Sequence, residues 1–220
     1  MKKYAIIVAG GSGKRMGTEI PKQFLELNNQ PILMLTLRQF YLADSTIHLL
    51  VVLPKSHINT WKTLCEKKNF KIPHQVIEGG KERFFSVKNA LELVPSNSIV
   101  GIHDSVRPLV SPNTINRCYK SAQSHFSAIP VIDSTNSLRY INEHRNEIVN
   151  RNFIKQVQTP QYFDAKLIKE SYCKDYSPKF TDDASVYEAH GHDIHPVKGN
   201  SENIKITSPI DLIVAKELLK

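Results

Sequence analysis

Residues 5–17, AIIVAGGSGKRMG, set an apolar, β-branched run directly against glycines at 10, 11, 13 and 17, with Lys14 and Arg15 among them. Such a run reads as a short strand buried on both faces, and the glycines as a tight turn whose backbone N–H groups carry no Cβ in front of them. Bare N–H groups at the carboxyl end of a strand form a natural seat for an anion, phosphate above all. Two named phosphate loops do not fit the spacing. In the dinucleotide fingerprint Gly11 and Gly13 would need a third glycine where Met16 stands, and in the P-loop Lys14 would need a hydroxyl where Arg15 stands.

The chain repeats the strand pattern at HLLVVL (48–53) and SIVGIHD (98–104), both apolar on alternate faces and so expected to be parallel and covered on each side. Helical spacing occupies the intervals 31–43, 58–69 and 83–94. This alternation predicts a Rossmann-like α/β fold with a doubly wound, mostly parallel sheet. Ser111-Pro112 and Ser208-Pro209 mark helix starts, with Asp211 standing in for the glutamate of a capping box. After AIPVID (128–133) the alternation breaks. Residues 134–158 alternate apolar and polar side chains around NEHRNE, as a protruding β-hairpin would. A hairpin has little core of its own, so its apolar side chains lie in solvent or pack on a second subunit. The chain reads as one domain, 1–220, with 134–158 as an arm.

A chain of 220 residues, 40% hydrophobic, can bury a full core. Its 29 basic and 21 acidic residues give a net charge of +8, which suits a phosphorylated ligand. The basic residues are dispersed in runs no longer than two, which favours discrete anion pockets, and no basic and aromatic stripe suggests nucleic acid. Cys65, Cys118 and Cys173 are odd in number and lack metal-ligand spacing, as expected of reduced thiols in a cytoplasmic protein. No segment approaches the roughly 20 apolar residues of a membrane span. The nine histidines form no HExxH or His-Cys cluster; His103, His190, His192 and His195 read as structural or surface residues, and Trp61, Phe84 and Phe85 as core or pocket walls.

The loop and its continuation, GGSGKRMGTEIPKQFLELNNQPIL, with Pro21 stiffening the chain ahead of Lys22, resemble the loop of sugar-phosphate nucleotidyltransferases. IEGGKERFFSV (77–87), HDSVRPLV (103–110), QTPQYF (158–163), TDDASVYEAHG (181–191) and NIKIT (203–207) follow in order. Over nearly its whole length the chain therefore resembles the 2-C-methyl-D-erythritol 4-phosphate cytidylyltransferase family. The resemblance implies a homodimeric transferase of isoprenoid precursor biosynthesis, joining CTP to a polyol phosphate with Mg²⁺ and releasing pyrophosphate. Both reactants are anions, so the demand is for charge neutralisation and alignment more than for a strong base.

By the same resemblance, Ala9, Gly10, Gly11 and Gly13 cradle the triphosphate and base, Arg15 and Lys22 stabilise the pentacoordinate transition state, and Gly80 and Ser86 hold the cytosine. Asp104, followed by Ser105, lies near the nucleotide, Mg²⁺ and acceptor, with Arg107 beside it. Arg151, Thr159 and Lys205 bind the acceptor phosphate, with Ser134 at the position of a family threonine. Were 134–158 the family's dimerisation arm, Ser134 and Arg151 would complete the partner's active site. Gly10 replaces a common alanine and Ser105-Val106 the more usual two alanines, features shared with ribitol 5-phosphate cytidylyltransferases. Asn150 stands where an aspartate often precedes the acceptor arginine, and DSTNS lacks a lysine often found there; TDDASVYEAHG and NIKIT favour the methylerythritol enzyme. Another polyol phosphate as acceptor, or a catalytically silent nucleotide-binding module, are the alternatives; Arg15, Lys22, Asp104 and Lys205 together argue against the second.

If Arg15 and Lys22 act mainly on the transition state, Arg15→Ala and Lys22→Ala each lower turnover by about 10²–10³-fold and weaken CTP binding much less. Initial rates of pyrophosphate release measure this. Losses confined to KM would refute the role.

Overall fold

A computed structural model describes residues 1–11 and 20–220; Gly13 and Arg15 lie outside the described residues. The apolar run forms β1 (Lys2–Val8) at the middle of the main sheet. A 3₁₀ turn at Lys22–Phe24 and a short antiparallel pair, β2 (Glu26–Leu27) and β3 (Gln30–Pro31), lead into α1 (Ile32–Ala43). The units β4 (His48–Leu53) with α2 (Lys55–Lys67), β5 (Gln75–Glu78) with α3 (Arg83–Leu91), and β6 (Ser98–Asp104) with α4 (Pro112–His125) follow. β7 (Ser127–Asp133) precedes the hairpin of β8 (Leu138–Ile141) and β9 (Asn146–Val149). After a 3₁₀ turn at Arg151–Phe153 come β10 (Lys155–Val157), β11 (Gln161–Asp164), α5 (Ala165–Ser171), α6 (Asp183–Ala189), β12 (Pro196–Lys198) and α7 (Pro209–Leu218).

The sheet has eight strands in the order β10-β7-β11-β6-β1-β4-β5, with β12 also paired to β7. β5, β4, β1 and β6 are mutually parallel, whereas β11 is antiparallel to both β6 and β7. The fold is thus α/β with a mostly parallel, doubly wound sheet. The two-faced pattern of β1 has a direct cause. Ala5 and Ile7 pack with Leu37, Phe40, Trp61 and Ile115 of α1, α2 and α4, while Ile6 and Val8 pack with Phe84, Val87, Ile168 and Tyr187 of α3, α5 and α6. Trp61 and Phe84 belong to these cores, and Phe84 stacks on Tyr172 with ring centroids 4.6 Å apart.

Helix ends differ modestly from the sequence pattern. α3 stops at Leu91, and Leu93 and Val94 donate their N–H groups three residues back in tighter turns, because Pro95 disfavours helical backbone just before it. The two Ser-Pro starts are capped. Ser111 Oγ accepts the Thr114 N–H at 3.1 Å, and Asp211 Oδ2 accepts the N–H groups of Thr207 and Ser208, each at 2.8 Å.

The arm is narrower than residues 134–158. Only β8 and β9 form its hairpin, in register from Leu138↔Val149 to Ile141↔Asn146. Residues 155–157 return to the main sheet as β10, antiparallel to β7, because the edge of β7 offers unpaired backbone groups that a nearby strand can satisfy. Ile141, Ile148 and Phe153 are 68%, 75% and 83% exposed, so the arm carries apolar side chains that its own chain does not cover. Among the described residues, no helix is long and apolar enough to cross a membrane.

Gly101 in β6 lies under the fully buried ring of Tyr162, where an added Cβ would sit 2.6 Å from Cζ. Gly101→Ala should therefore destabilise the protein by about 1–3 kcal/mol through overpacking. Urea unfolding should show a lower midpoint at unchanged slope, and an unchanged midpoint would contradict the packing.

Candidate active site

β1 and β6 run side by side, with Val8 opposite Asp104 at their carboxyl ends. β4 and β5 lie to one side of β1 and β6 to the other, so the direction of winding reverses here, where open α/β sheets bind ligands. Backbone bonds tie the emerging loops together: Ala9 N–H to Val52 C=O at 2.9 Å, Gly79 N–H to Leu53 C=O at 2.9 Å, and Ser105 N–H to Val8 C=O at 3.1 Å. Between them opens a cavity of about 270 Å³, lined by Gly10, Gly11, Lys22, Gln23, residues 80–83, Ser86, Asp104, Ser105, Val106 and Lys205. A cavity of equal volume beside Asn29, Met34, Arg38 and Lys68 has neither a glycine turn nor a carboxylate in its lining, so the first is the candidate site.

Glycine is required where the backbone itself forms the wall. At Gly80 an added Cβ would lie 2.4 Å from Phe85 Cβ. The Gly80 N–H donates to Ser86 Oγ at 3.0 Å, and the Ser86 hydroxyl donates to Glu82 C=O at 3.0 Å, so Ser86 clasps the turn closed. At Gly11 the demand is weaker: a Cβ would come within 3.2 Å of Lys22 Cε, near the end of a flexible side chain that can shift by a few tenths of an ångström. Gly10 is different: among the described residues the nearest neighbour of a Cβ there would be Ser86 Oγ at 4.0 Å, so none of them would oppose alanine at this position. Ala9 roots the loop, its C=O accepting from Nε2 of the buried Gln23 at 2.9 Å.

Asp104 is fixed through its backbone from below. Its N–H donates to Thr159 Oγ1 at 3.1 Å, Thr159 Oγ1 meets His103 Nδ1 at 3.0 Å, and His103 Nε2 meets Arg107 C=O at 3.2 Å. A carbonyl only accepts, so Nε2 carries the proton and the Thr159 hydroxyl donates to Nδ1. Complete burial keeps the imidazole neutral, pushing its pKa down to about 3.

Three cations converge on the Asp104 carboxylate. Lys205 Nζ lies 2.9 Å and Arg107 Nε 3.6 Å from Oδ2, and Arg83 Nε lies 3.7 Å from Oδ1. Burial opposes ionisation of Asp104, but the charges of Arg83, Lys205 and Arg107 outweigh it and hold the carboxyl well below its usual range. Arg83 also grips Asp183 with both terminal nitrogens, at 2.8 and 2.6 Å. Burial pushes the Arg107 pKa down, and its Nη1 donates to Asn203 C=O at 2.7 Å. Three positive and two negative side chains leave a surplus of positive charge facing the cavity, as an incoming phosphate requires.

Gly10, Gly11, Lys22, Gly80, Ser86, Asp104, Ser105 and Lys205 thus line one cavity, with Ala9 beneath its floor and Arg107 on the Asp104 carboxylate. Thr159 lies under Asp104. Ser134 and Arg151 lie apart from this lining: Ser134 Oγ bonds Asn136 C=O at 3.4 Å, and the exposed Arg151 bonds Thr135 C=O at 2.6 Å. Sequence reasoning passed over Gln23, Arg83 and Asp183. All three sit inside stretches already singled out, PKQ, GGKER and TDDASVYEAHG, but the pairing of Arg83 with Asp183 spans 100 positions and leaves no local signal.

The model of the family described as 2-C-methyl-D-erythritol 4-phosphate cytidylyltransferase matches residues 4–220. Proteins of that name from Bacteroides fragilis and Phocaeicola vulgatus are 50% and 48% identical to this chain over 219 residues, covering 100% of either partner in each comparison. The crystal structure of 4-diphosphocytidyl-2C-methyl-D-erythritol synthase from Anaerococcus prevotii superposes with a TM-score of 0.84 at 27% identity, covering 99% of this chain and 96% of that one.

Thr159→Val keeps the side-chain shape and removes the hydroxyl between Asp104 and His103. It should cost about 1–3 kcal/mol, because a buried N–H and a buried ring nitrogen lose their partner. Urea unfolding measures the cost. An undiminished stability with a raised acceptor KM would show instead that the hydroxyl serves the substrate.

Proposed function

The chain belongs to the 2-C-methyl-D-erythritol 4-phosphate cytidylyltransferase family, and from that premise we propose how its strand-end cavity works. The protein joins CTP to 2-C-methyl-D-erythritol 4-phosphate, giving 4-diphosphocytidyl-2-C-methyl-D-erythritol and pyrophosphate in isoprenoid precursor biosynthesis. An oxygen of the acceptor phosphate bonds to the α-phosphorus of CTP, the bond from that phosphorus to the bridging oxygen breaks, and pyrophosphate departs with the electron pair. Near neutral pH the attacking phosphate is already ionised, so the protein's task is to align two anions and offset their repulsion.

The observation that carries this reading is the convergence of Arg83, Arg107 and Lys205 on Asp104 beside the glycine turns. The triphosphate lies along Gly10 and Gly11, where Lys22 approaches, and Arg15 joins Lys22 in offsetting charge at the α-phosphorus. The turn of Gly80, closed by Ser86, receives the cytosine. Lys205, its side chain 43% exposed and adjacent to Asp104, meets the acceptor phosphate.

Asp104 suits Mg²⁺, which is commonly held by one or two carboxylates together with the substrate's phosphates. Among the described residues no three His, Cys, Asp or Glu side chains gather, so the nucleotide would supply most of the ligands. Bound there, Mg²⁺ would screen the triphosphate from the approaching phosphate. A homodimer agrees with the exposed apolar residues of the arm and with the position of Ser134 and Arg151 away from their own chain's cavity; in it the partner's arm supplies these two groups. The three unpaired cysteines agree with a reducing cytoplasm.

The purified protein with Mg²⁺ and CTP should release pyrophosphate with 2-C-methyl-D-erythritol 4-phosphate at least about tenfold faster than with ribitol 5-phosphate. Asp104→Asn should lower turnover by about 10²-fold or more. Arg151→Ala should raise the acceptor KM and leave CTP affinity, read by calorimetry, unchanged. Equal rates with both acceptors would overturn the assignment of substrate.

A further inference from the structure

We propose that Arg83 is a positioning residue for Asp104, held in that task by Asp183 and Tyr172, neither of which lines the cavity. The proposal rests on the cavity being the nucleotide site. Arg83 has five N–H donors in a rigid plane. Its two terminal nitrogens are spent on the Asp183 carboxylate at 2.8 and 2.6 Å, which fixes the plane and leaves the Nε edge 3.7 Å from Asp104 Oδ1. Where that edge points is therefore decided at α6.

Asp183 is itself enclosed and bonded. It is completely buried and accepts the Tyr172 hydroxyl on Oδ1 at 2.6 Å, while Tyr172 is clamped by stacking on Phe84 of α3. The first turn of α6 is pinned to β11 by Gln161, whose Nε2 donates to Asp182 Oδ2 at 2.8 Å and whose Oε1 accepts the Ala184 N–H at 2.9 Å. Two helices and a strand thus converge on one guanidinium.

The three cations around Asp104 consequently differ in freedom. Arg83 has a second tether in Asp183, and Arg107 has one in the Asn203 carbonyl. Lys205, among the described residues, is tied only to Asp104 and is the most exposed of the three. When a phosphate draws Lys205 away, the two arginines stay and keep the carboxylate oriented toward the nucleotide and its metal. Without Arg83 no cation among the described residues faces Oδ1, and the carboxylate is held through Oδ2 alone.

The test compares full-length wild type with Asp183→Asn, Tyr172→Phe, Arg83→Gln and Arg83→Lys. Kinetics of pyrophosphate release, CTP affinity by calorimetry with and without Mg²⁺, and urea midpoints are measured on each. Asp183→Asn should lower kcat about 10–100-fold and Tyr172→Phe about 3–10-fold, with both KM values changed by less than about threefold, the pattern of a misaligned group. CTP affinity without metal should hold while the gain from Mg²⁺ shrinks, and Arg83→Lys should recover part of what Arg83→Gln loses. Wild-type kcat and an undiminished Mg²⁺ gain in Asp183→Asn and Tyr172→Phe, with only the urea midpoint lowered, would overturn the proposal. Should Asp183→Asn not fold, Tyr172→Phe, which keeps the stacked ring, decides alone. Absence of turnover in the wild type would count against the assigned reaction, and the two calorimetric titrations would still decide the positioning role.

Discussion

The structure turns on holding one carboxylate among three cations at the place where the sheet changes its direction of winding. Asp104 ends β6 directly opposite the last residue of β1, so its position is inherited from two strands buried along most of their length. An ion drawn this far from water persists only when its partners are close and themselves satisfied. Arg83 meets that condition through Asp183, and Arg107 meets it in part: its Nη1 bonds the Asn203 carbonyl, while its buried Nε has the Asp104 carboxylate 3.6 Å away and no hydrogen bond of its own among the described residues. The surplus of positive charge left at the cavity wall is what two phosphates need when they approach each other.

Burial also sorts the polar groups by role. His103, Thr159, Gln23 and Ser86 are all nearly inaccessible, and each spends its hydrogen bonds on the backbone or neighbours that shape the cavity. His103 acts as scaffolding: it cannot take a proton near neutrality because burial has made the charged form too costly. Among the described cations around Asp104, Lys205 and the cavity edge of Arg83 keep a side open to a ligand. The arm obeys the same logic in reverse. With its apolar side chains uncovered, β8 and β9 form a ribbon that buries little by itself.

Much of this was legible in residue patterns. β1, β4 and β6 lie where the β-branched runs stand, and the Ser-Pro helix starts are capped as their sequence suggests, because these features depend on neighbours a few residues away. The arm was legible as an alternation but not in its extent. The sequence pattern of residues 155–157 is the same whether they pair with β9 or with β7, and only the nearness of the β7 edge chooses. Among the site residues, the glycine turns and Asp104 stood out by their place at strand ends. Arg83 was visible only as one more charge in GGKER, since its meaning comes from Asp183.

Sequence alone therefore determined the alternation of strand and helix, the glycine-rich corner at the end of β1, and a family resemblance strong enough to imply the reaction. These rest on local propensity and on the spacing of apolar side chains, which chain order records. Tertiary structure decided which carboxylate faces which cation, that the Thr159 hydroxyl supports Asp104 from below, and that the arm's base rejoins β7. Each of these depends on distances between residues tens of positions apart, and burial sets the strength of such contacts only after the chain has closed around them.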